Sequence, residues 1–187
     1  LKEIHDPPLT LYVRGRFETR DGRAIAVVGT RKPTHYGRDM AIMLAGGLAR
    51  MGYTVVSGLA EGVDTCAHAE ALRCGGRTLA VIGSGLEQLY PRSNAKLADE
   101  IAHRGAVISE FPLARQPDKT TFPIRNRVVS GLSMGVVVVE AGIQSGALIT
   151  ARMALEHGRA VFAVPGRADS PASRGANRLI KDGARLV

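Results

Sequence analysis

Short apolar runs alternate with amphipathic segments along most of the chain. Runs rich in Val and Ile, with no alternation of their own, are typical of parallel strands buried on both faces of a sheet. They predict strands at Ala24–Gly29, Tyr53–Ser57, Thr78–Gly83, Ala106–Ser109, Val136–Glu140 and Ala160–Val164. The intervening segments have helical spacing of apolar residues and predict helices near 36–50, 62–73, 94–103, 123–132 and 146–157. The alternation indicates an α/β fold, a doubly wound and mostly parallel sheet with helices on both faces.

The two ends of the chain carry weaker signals. Residues 1–23 contain Asp-Pro-Pro and few apolar repeats, so we expect a lead-in that adds an edge strand around Leu11–Val13. Residues 24–187 then form the main domain, which closes with a short helix at Ala176–Lys181 and a last strand at Ala184–Val187. Because residue 1 is Leu and not Met, we expect a piece of a longer protein.

Composition narrows the class of protein. A chain of 187 residues with 45% hydrophobic residues suits one soluble, well-packed domain, and no apolar run approaches the roughly 18 residues of a membrane span. The formal net charge of +8 predicts attraction to polyanions. The only cysteines, Cys66 and Cys74, fit neither a zinc knuckle nor a redox pair, which favours reduced thiols and a cytoplasmic location.

Glycine and serine follow several predicted strands at the edge where ligands bind in open α/β sheets. In such turns backbone N–H groups can approach an anion, and the helix dipole favours negative charge there. The turns are Gly29-Thr30-Arg31-Lys32, Ser57-Gly58, Gly83-Ser84-Gly85 and Ser145-Gly146. One such turn is explained by tight βα geometry alone, but the set predicts a phosphate-binding rim.

Common catalytic and nucleotide motifs are missing. The dinucleotide fingerprint fails at Gln88, and neither a P-loop nor a G-x-S-x-G elbow occurs. Asp64 and His68 lie four apart on a predicted helix, and we interpret them as a loop-binding carboxylate and a packed imidazole. The other histidines are scattered and suggest no metal cluster. We therefore predict no catalytic residue, no metal and no cofactor.

The segment Lys119–Gly131, KTTFPIRNRVVSG, combines cations with an aromatic residue. Lys119, Arg125 and Arg127 could pair with successive phosphates, Phe122 could stack on a base, and Asn126 could hydrogen-bond either. Together with the glycine-rich rim, this pattern favours single-stranded nucleic acid. The alternative is that Phe122 belongs to the core and the arginines are solvated on a helix face.

Seven strings resemble the DNA-processing protein A family, also called DprA or Smf, in the family's order from about residue 8 to 187. They are GTRKPTHYG (29–37), SGLAEGVDTCAHAEAL (57–72), GSGLEQLYP (83–91), SEFPL (109–113), FPIRNRVVSGLS (122–133), VVEAGIQSGALITARMALEHGR (138–159) and AVPG (163–166). The resemblance implies an extended Rossmann-like domain that binds single-stranded DNA, protects incoming strands in natural transformation and helps to load the RecA recombinase.

The resemblance also implies functional residues. The groups expected to contact DNA are Arg31, Lys119, Phe122, Arg125, Asn126 and Arg127. Those expected to line the same pocket are Ser57, Gly58, Ser145 and Gly146. It further implies a homodimer through the C-terminal part of the domain, where Ile180 and Leu186 are candidate contacts; the alternative is that both only cap the core.

An enzyme is the rival interpretation. A LOG-like nucleoside-monophosphate phosphoribohydrolase has a related sheet, but its PGGxGT string is absent where this chain has AGIQSGALIT (141–150). A dinucleotide oxidoreductase is weakened by the failed fingerprint. Release of adenine from a nucleoside monophosphate would reveal the first enzyme, and cofactor fluorescence quenching the second.

Overall fold

The computed structural model describes residues 1–187 and contains one mixed sheet covered by helices. The strands are β1 Tyr12–Gly15, β2 Ala24–Val28, β3 Thr54–Ser57, β4 Thr78–Val81, β5 Ala106–Ser109, β6 Gly135–Val138, β7 Ala160–Ala163 and β8 Arg185–Leu186. The helices are α1 His35–Arg50, α2 Val63–Arg73, α3 Ala95–Arg104, α4 Thr121–Gly131, α5 Ala147–Glu156 and α6 Arg174–Lys181. Short 3₁₀ turns lie at Thr19–Gly22 and Arg92–Asn94. None of the helices combines the length and the apolarity needed to cross a membrane.

The strand order is β1-β5-β4-β3-β2-β6-β7-β8. All neighbours are parallel except β1, which runs antiparallel to β5 and forms the edge strand expected near the start of the chain. The chain winds outward from β2 to β5, then returns to the centre and winds the other way from β6. The predicted doubly wound α/β fold is therefore confirmed, and its switch point lies between β2 and β6.

The core occupies both faces of the sheet, as the unbroken apolar runs predict. Because strand side chains alternate between faces, Ala26 and Val28 of β2 pack with α4 and α5, whereas Val27 packs with α1 and α2. All four residues of β3, β4, β5 and β6 are buried. The central strands are thus rigidly held, and the loops at their carboxyl ends start from fixed positions.

The first 23 residues pack against the rest of the domain. Ile4 is buried and lies beside Gly131 at the end of α4. Asp21 accepts a 2.6 Å hydrogen bond from the buried Arg77 side chain and a second from Thr54 at 3.0 Å. The lead-in segment is therefore fastened to the sheet by an apolar contact and by buried polar contacts.

Candidate functional site

An open cleft of about 540 Å³ lies at the switch point, where the loops after β2 and β6 diverge. The loop after β2 contributes Gly29, Thr30, Arg31 and Lys32; the loop after β6 contributes Gly142, Gln144, Ser145 and Gly146. The floor and the other wall come from the loop after β3 and from α4. The cleft therefore occupies the position that the strand order predicts for a ligand.

Glu140 fixes the loop that carries Arg31. Its backbone carbonyl accepts a hydrogen bond from Thr30 N at 2.7 Å, and its buried carboxylate accepts from Thr34 N and Thr34 Oγ1, both at 2.8 Å. These bonds hold both ends of the turn and leave Arg31 and Lys32 exposed, with no ion-pair partner. Two free cations thus stand at the mouth of the cleft.

Phe122 lies in the first turn of α4. Asp118 orders the start of this helix, since its Oδ1 accepts hydrogen bonds from Thr120 N at 2.7 Å and Thr121 N at 3.0 Å. The ring is half-buried because it packs on the loop after β4, where a Cβ added to Gly83 would lie 2.7 Å from Phe122 Cδ1. The Arg31 guanidinium lies over the ring, 5.3 Å from its centroid. Phe122 is therefore part of the cleft wall and not a residue of the core.

Arg125 and Asp64 form the floor of the cleft around Gly58. Arg125 Nη1 donates to Gly58 O at 2.5 Å and also to Val81 O, while Gly58 N donates to Asp64 Oδ2 at 3.0 Å. A Cβ at position 58 would lie 2.5 Å from Arg125 Nη1 and 2.7 Å from Asp64 Oδ2. Only glycine allows this close approach.

Both charged groups of the floor are buried, and burial shifts each pKa. It lowers the pKa of Arg125 to about 10, although the nearby Asp64 charge opposes the shift and the Arg31 cation adds to it. Burial likewise raises the pKa of Asp64, against the stabilising effect of Arg125 and of the Ala60 and Gly58 amides. Arg125 stays protonated at neutral pH and adds positive potential beneath the cleft.

The remaining wall is made by the start of α5 and one side chain of α4. Ser145 Oγ accepts from Ala147 N at 3.3 Å, and the space beside Gly146 is open. Asn126 accepts from Arg125 Nε at 3.1 Å and directs its amide toward Gly146 O at 3.5 Å. This wall offers hydroxyl, amide and backbone groups to a polar ligand.

Three of the residues that the sequence analysis assigned to the DNA-binding pocket do not line the cleft. Ser57 is fully buried and donates to Val27 O at 2.6 Å, so its hydroxyl serves the sheet. Lys119 is exposed in the turn before α4 but does not line the cleft. Arg127 binds both oxygens of Glu110 at 2.6 Å and Asp6 at 2.9 Å. The Arg127 guanidinium is therefore paired with two carboxylates in this structure and does not line the cleft.

The two C-terminal candidates also differ in their surroundings. Ile180 is half-buried on α6 and packs against the core, as the capping alternative expects. Leu186 lies on the edge strand β8 with 62% of its surface exposed. Only Leu186 is therefore fully available for a contact between copies.

Three residues in or beside the cleft were given no role by the sequence analysis. Gln144 and Thr150 line the cleft, and Tyr90 lies beside Phe122 with ring centroids 5.9 Å apart. Tyr90 stands in a loop without periodicity, so only its position within the GSGLEQLYP string could have drawn attention to it. The interpretation of Asp64 as a loop-binding carboxylate and His68 as a packed imidazole is confirmed.

Comparisons with known proteins agree with this geometry. A model of the family described as DNA recombination-mediator protein A matches residues 1–187. The chain is 46% identical over 188 residues to DNA processing protein DprA of Bacillus subtilis, covering all of this chain and 63% of the relative. It is 47% identical over 183 residues to protein Smf of Escherichia coli, covering 97% of this chain and 49% of the relative.

Solved structures of DNA processing protein A have the same fold as this chain. DprA from Streptococcus pneumoniae superposes with a TM-score of 0.94 at 44% identity, covering all of this chain and 65% of that one. A structure describing the single-stranded DNA binding mode of DNA processing protein A from Helicobacter pylori has a TM-score of 0.90 at 36% identity, covering 98% and 84%. A molybdenum cofactor binding protein and molybdenum cofactor carrier proteins share the fold at 17–20% identity. The chain spans about half to two thirds of the curated relatives it matches.

Proposed function

The chain belongs to the DNA recombination-mediator protein A family, and from this premise we propose that it binds single-stranded DNA in the switch-point cleft and does so without catalysing a reaction. The observation that carries the proposal is the free Arg31 guanidinium over the half-buried Phe122 ring at the mouth of a cationic cleft. A cation beside a stackable ring suits a ligand that alternates phosphates with flat bases.

In this proposal, binding begins when a base comes to stack at the Phe122 ring, which Arg31 covers in the free protein. The base stacks there only when the guanidinium moves aside or is itself stacked upon. A released guanidinium can pair with the phosphate of the stacked nucleotide. Base stacking is worth about 1–3 kcal/mol and tolerates any base, so sequence preference is slight.

The other residues of the site either contact the DNA strand directly or support the cleft. Arg31, Lys119 and Phe122 contact the strand, with Lys119 reaching it from the turn before α4. Asn126, Ser145 and Gly146 bind phosphate or sugar oxygens along the opposite wall. Arg125 acts through its buried charge and through its bond to Gly58 O.

Two of the groups implied by the resemblance have supporting roles in this proposal. Ser57 holds the sheet beneath the cleft through its bond to Val27 O. Arg127 ties α4 to Glu110 and Asp6 and leaves its charge unavailable to a phosphate.

The cleft suits a flexible strand better than a duplex. Phe122 is half-buried in the cleft wall, so a base can reach it only if it is unstacked from its neighbours. A duplex holds its bases in the stack, so it can offer only phosphates to the outer cations. Single strands are therefore preferred.

The cellular role follows from the family and is proposed as a whole. The protein protects incoming single strands in the cytoplasm during natural transformation and helps to load RecA recombinase onto them. It acts as a homodimer through its C-terminal part, for which Leu186 on the unpaired edge of β8 is the exposed apolar contact. A dimer carries two clefts and can hold two strands or two stretches of one.

A binding comparison tests the proposal. Fluorescence anisotropy of labelled oligo-dT and of a matching duplex is measured with the wild type, with Arg31→Ala and with Arg23→Ala. Arg23 precedes β2 at the opposite end of the sheet and matches Arg31 in charge. We expect preference for the single strand and a loss of affinity in Arg31→Ala alone. Equal binding by both variants, or release of adenine from a nucleoside monophosphate, would contradict it.

A further inference from the structure

Tyr90 places a second aromatic surface beside the cleft. It ends the loop after β4, and 48% of its surface is exposed. Its ring lies 5.9 Å from that of Phe122, at 47° to it. A large aromatic side chain exposed next to a candidate stacking residue is available for contact with a ligand.

Two further cavities continue the cleft past this ring. A small one of about 50 Å³ lies between Arg31, Phe122 and Tyr90 and shares the first two residues with the cleft. A larger one of about 380 Å³ begins on the far side of Tyr90, which lines both. The three cavities are therefore neighbours along a path past Phe122 and then Tyr90, whose side chains they share.

The end of this path is equipped for a phosphate. Arg92 lines the third cavity, is exposed and has no ion-pair partner. Gln88 and Gln116 line the same cavity and bind each other through their amides at 2.9 Å. The carboxylate of Glu87 is also present. The two rings, Phe122 and Tyr90, therefore lie between two cations, Arg31 and Arg92, and the carboxylates of Glu61 and Glu87 line the same cavities.

We propose that Tyr90 and Arg92 form a second nucleotide subsite, in which the base next to the one on Phe122 stacks on Tyr90 and the following phosphate pairs with Arg92. The inference rests on the proposed binding of single-stranded DNA and adds the direction in which the strand leaves the cleft. The two rings are tilted by 47° to each other, so a base stacked on each lies tilted from its neighbour, an arrangement that a duplex does not permit.

Photo-cross-linking distinguishes the second subsite from a purely structural role of Tyr90 as a support for Phe122. An oligo-dT containing 5-iododeoxyuridine is irradiated on the protein, and the modified residues are identified by mass spectrometry. The second subsite predicts cross-links at Phe122 and also at Tyr90. Cross-links at Phe122 without any at Tyr90 would overturn it, whatever the affinity of Tyr90 variants.

Affinity measurements complete the test with matched substitutions. Tyr90→Ala removes the stacking face and is expected to weaken binding of a roughly ten-nucleotide oligo-dT by about five- to hundredfold. Tyr90→Phe keeps the face and should bind like the wild type. Arg92→Ala should reduce the salt dependence of binding, while Arg23→Ala should leave it unchanged. Wild-type affinity in Tyr90→Ala, or an unchanged salt dependence in Arg92→Ala, would contradict the subsite.

The two proposals fail in distinguishable ways. If the wild type neither binds oligo-dT nor cross-links at Phe122, the proposed function is wrong and the subsite is overturned with it. If the wild type binds and cross-links at Phe122 while Tyr90 is untouched, only the second subsite is wrong.

Discussion

The Arg125 and Asp64 side chains bind the two backbone polar groups of Gly58, its carbonyl and its amide. The guanidinium donates to the Gly58 carbonyl at 2.5 Å, and the Gly58 amide donates to the Asp64 carboxylate at 3.0 Å. Both side chains are buried, so the floor of the cleft contains a guanidinium and a carboxyl group in a region of low dielectric. This arrangement fixes the loop after β3 and ties it to α4, the helix that carries Phe122.

Removal of Arg125 should therefore destabilise the fold. Arg125→Ala leaves Asp64 buried without its neighbouring cation and Gly58 O without its donor, which we expect to cost about 3–5 kcal/mol of unfolding free energy. Arg115→Ala is the matched control, because Arg115 pairs with Asp118 at the exposed surface, where such pairs contribute at most about 1 kcal/mol. Urea unfolding measures both. Equal losses for the two variants would contradict this role.

Lys119 and Phe122 should affect binding in different ways. Lys119→Ala removes one exposed cation and should flatten the dependence of log affinity on log salt by about 0.7 to 1. Phe122→Ala removes a stacking face and should cost about 1–3 kcal/mol of binding free energy at every salt concentration. Titrations of oligo-dT over a range of salt separate the two effects. Equal slopes for these variants would refute the division.

Arg127 should act on stability and leave the salt dependence of binding alone. Its guanidinium is already paired with Glu110 and Asp6, so Arg127→Ala releases no phosphate contact. It does leave the half-buried Glu110 without the guanidinium that binds both of its oxygens, which should cost about 1–3 kcal/mol of unfolding free energy. Thermal unfolding and the salt titration measure the two quantities. A flattened salt slope would show that Arg127 reaches the strand after all.

His68 should make the fold sensitive to acid. The Thr78 hydroxyl donates to Val55 O, so its oxygen accepts from His68 Nδ1, and burial lowers the pKa of His68 to about 3. In the unfolded chain the pKa returns to about 6.5, so only the unfolded state gains this proton between the two values. The contribution of His68 to stability is therefore complete above pH 6.5 and falls by about 1.4 kcal/mol per pH unit toward pH 3.

The His68→Gln variant tests this dependence, because it keeps a donor for Thr78 but does not titrate. Its unfolding free energy should fall less steeply between pH 6.5 and the acid limit than that of the wild type. If His68→Gln and the wild type lose stability in parallel, the imidazole is not held neutral in the folded state.

The fold was largely predictable because its strands are buried on both faces. Continuous valine-rich runs such as β6 are typical of strands buried on both faces, and glycine-containing turns mark where they end. The start of α4 was harder to predict from the sequence. The helix begins at Thr121, before the expected 123, because the Asp118 side chain binds the first amides. Such local bonds shift boundaries without changing the apolar pattern.

The site was predictable in part. Arg31, Phe122 and Gly58 follow from the strand ends and the motif, whereas Arg127, expected with Arg125 among the DNA contacts, does not line the cleft. Residues two apart on a helix point about 200° away from each other, so both could not face one cleft. Tyr90 and Glu140 owe their positions to contacts with distant segments, which no local period encodes.

The measurement that tests the central claim most directly is an anisotropy titration of labelled oligo-dT with the wild type and the double variant Arg31→Ala/Phe122→Ala, after circular dichroism has shown that both are folded. The account predicts salt-sensitive binding by the wild type and its loss in the double variant, since the cation and the ring at the cleft mouth are then both gone. Equal binding by the two proteins would mean that the strand binds elsewhere on this basic domain, and that the cleft between β2 and β6 has another ligand.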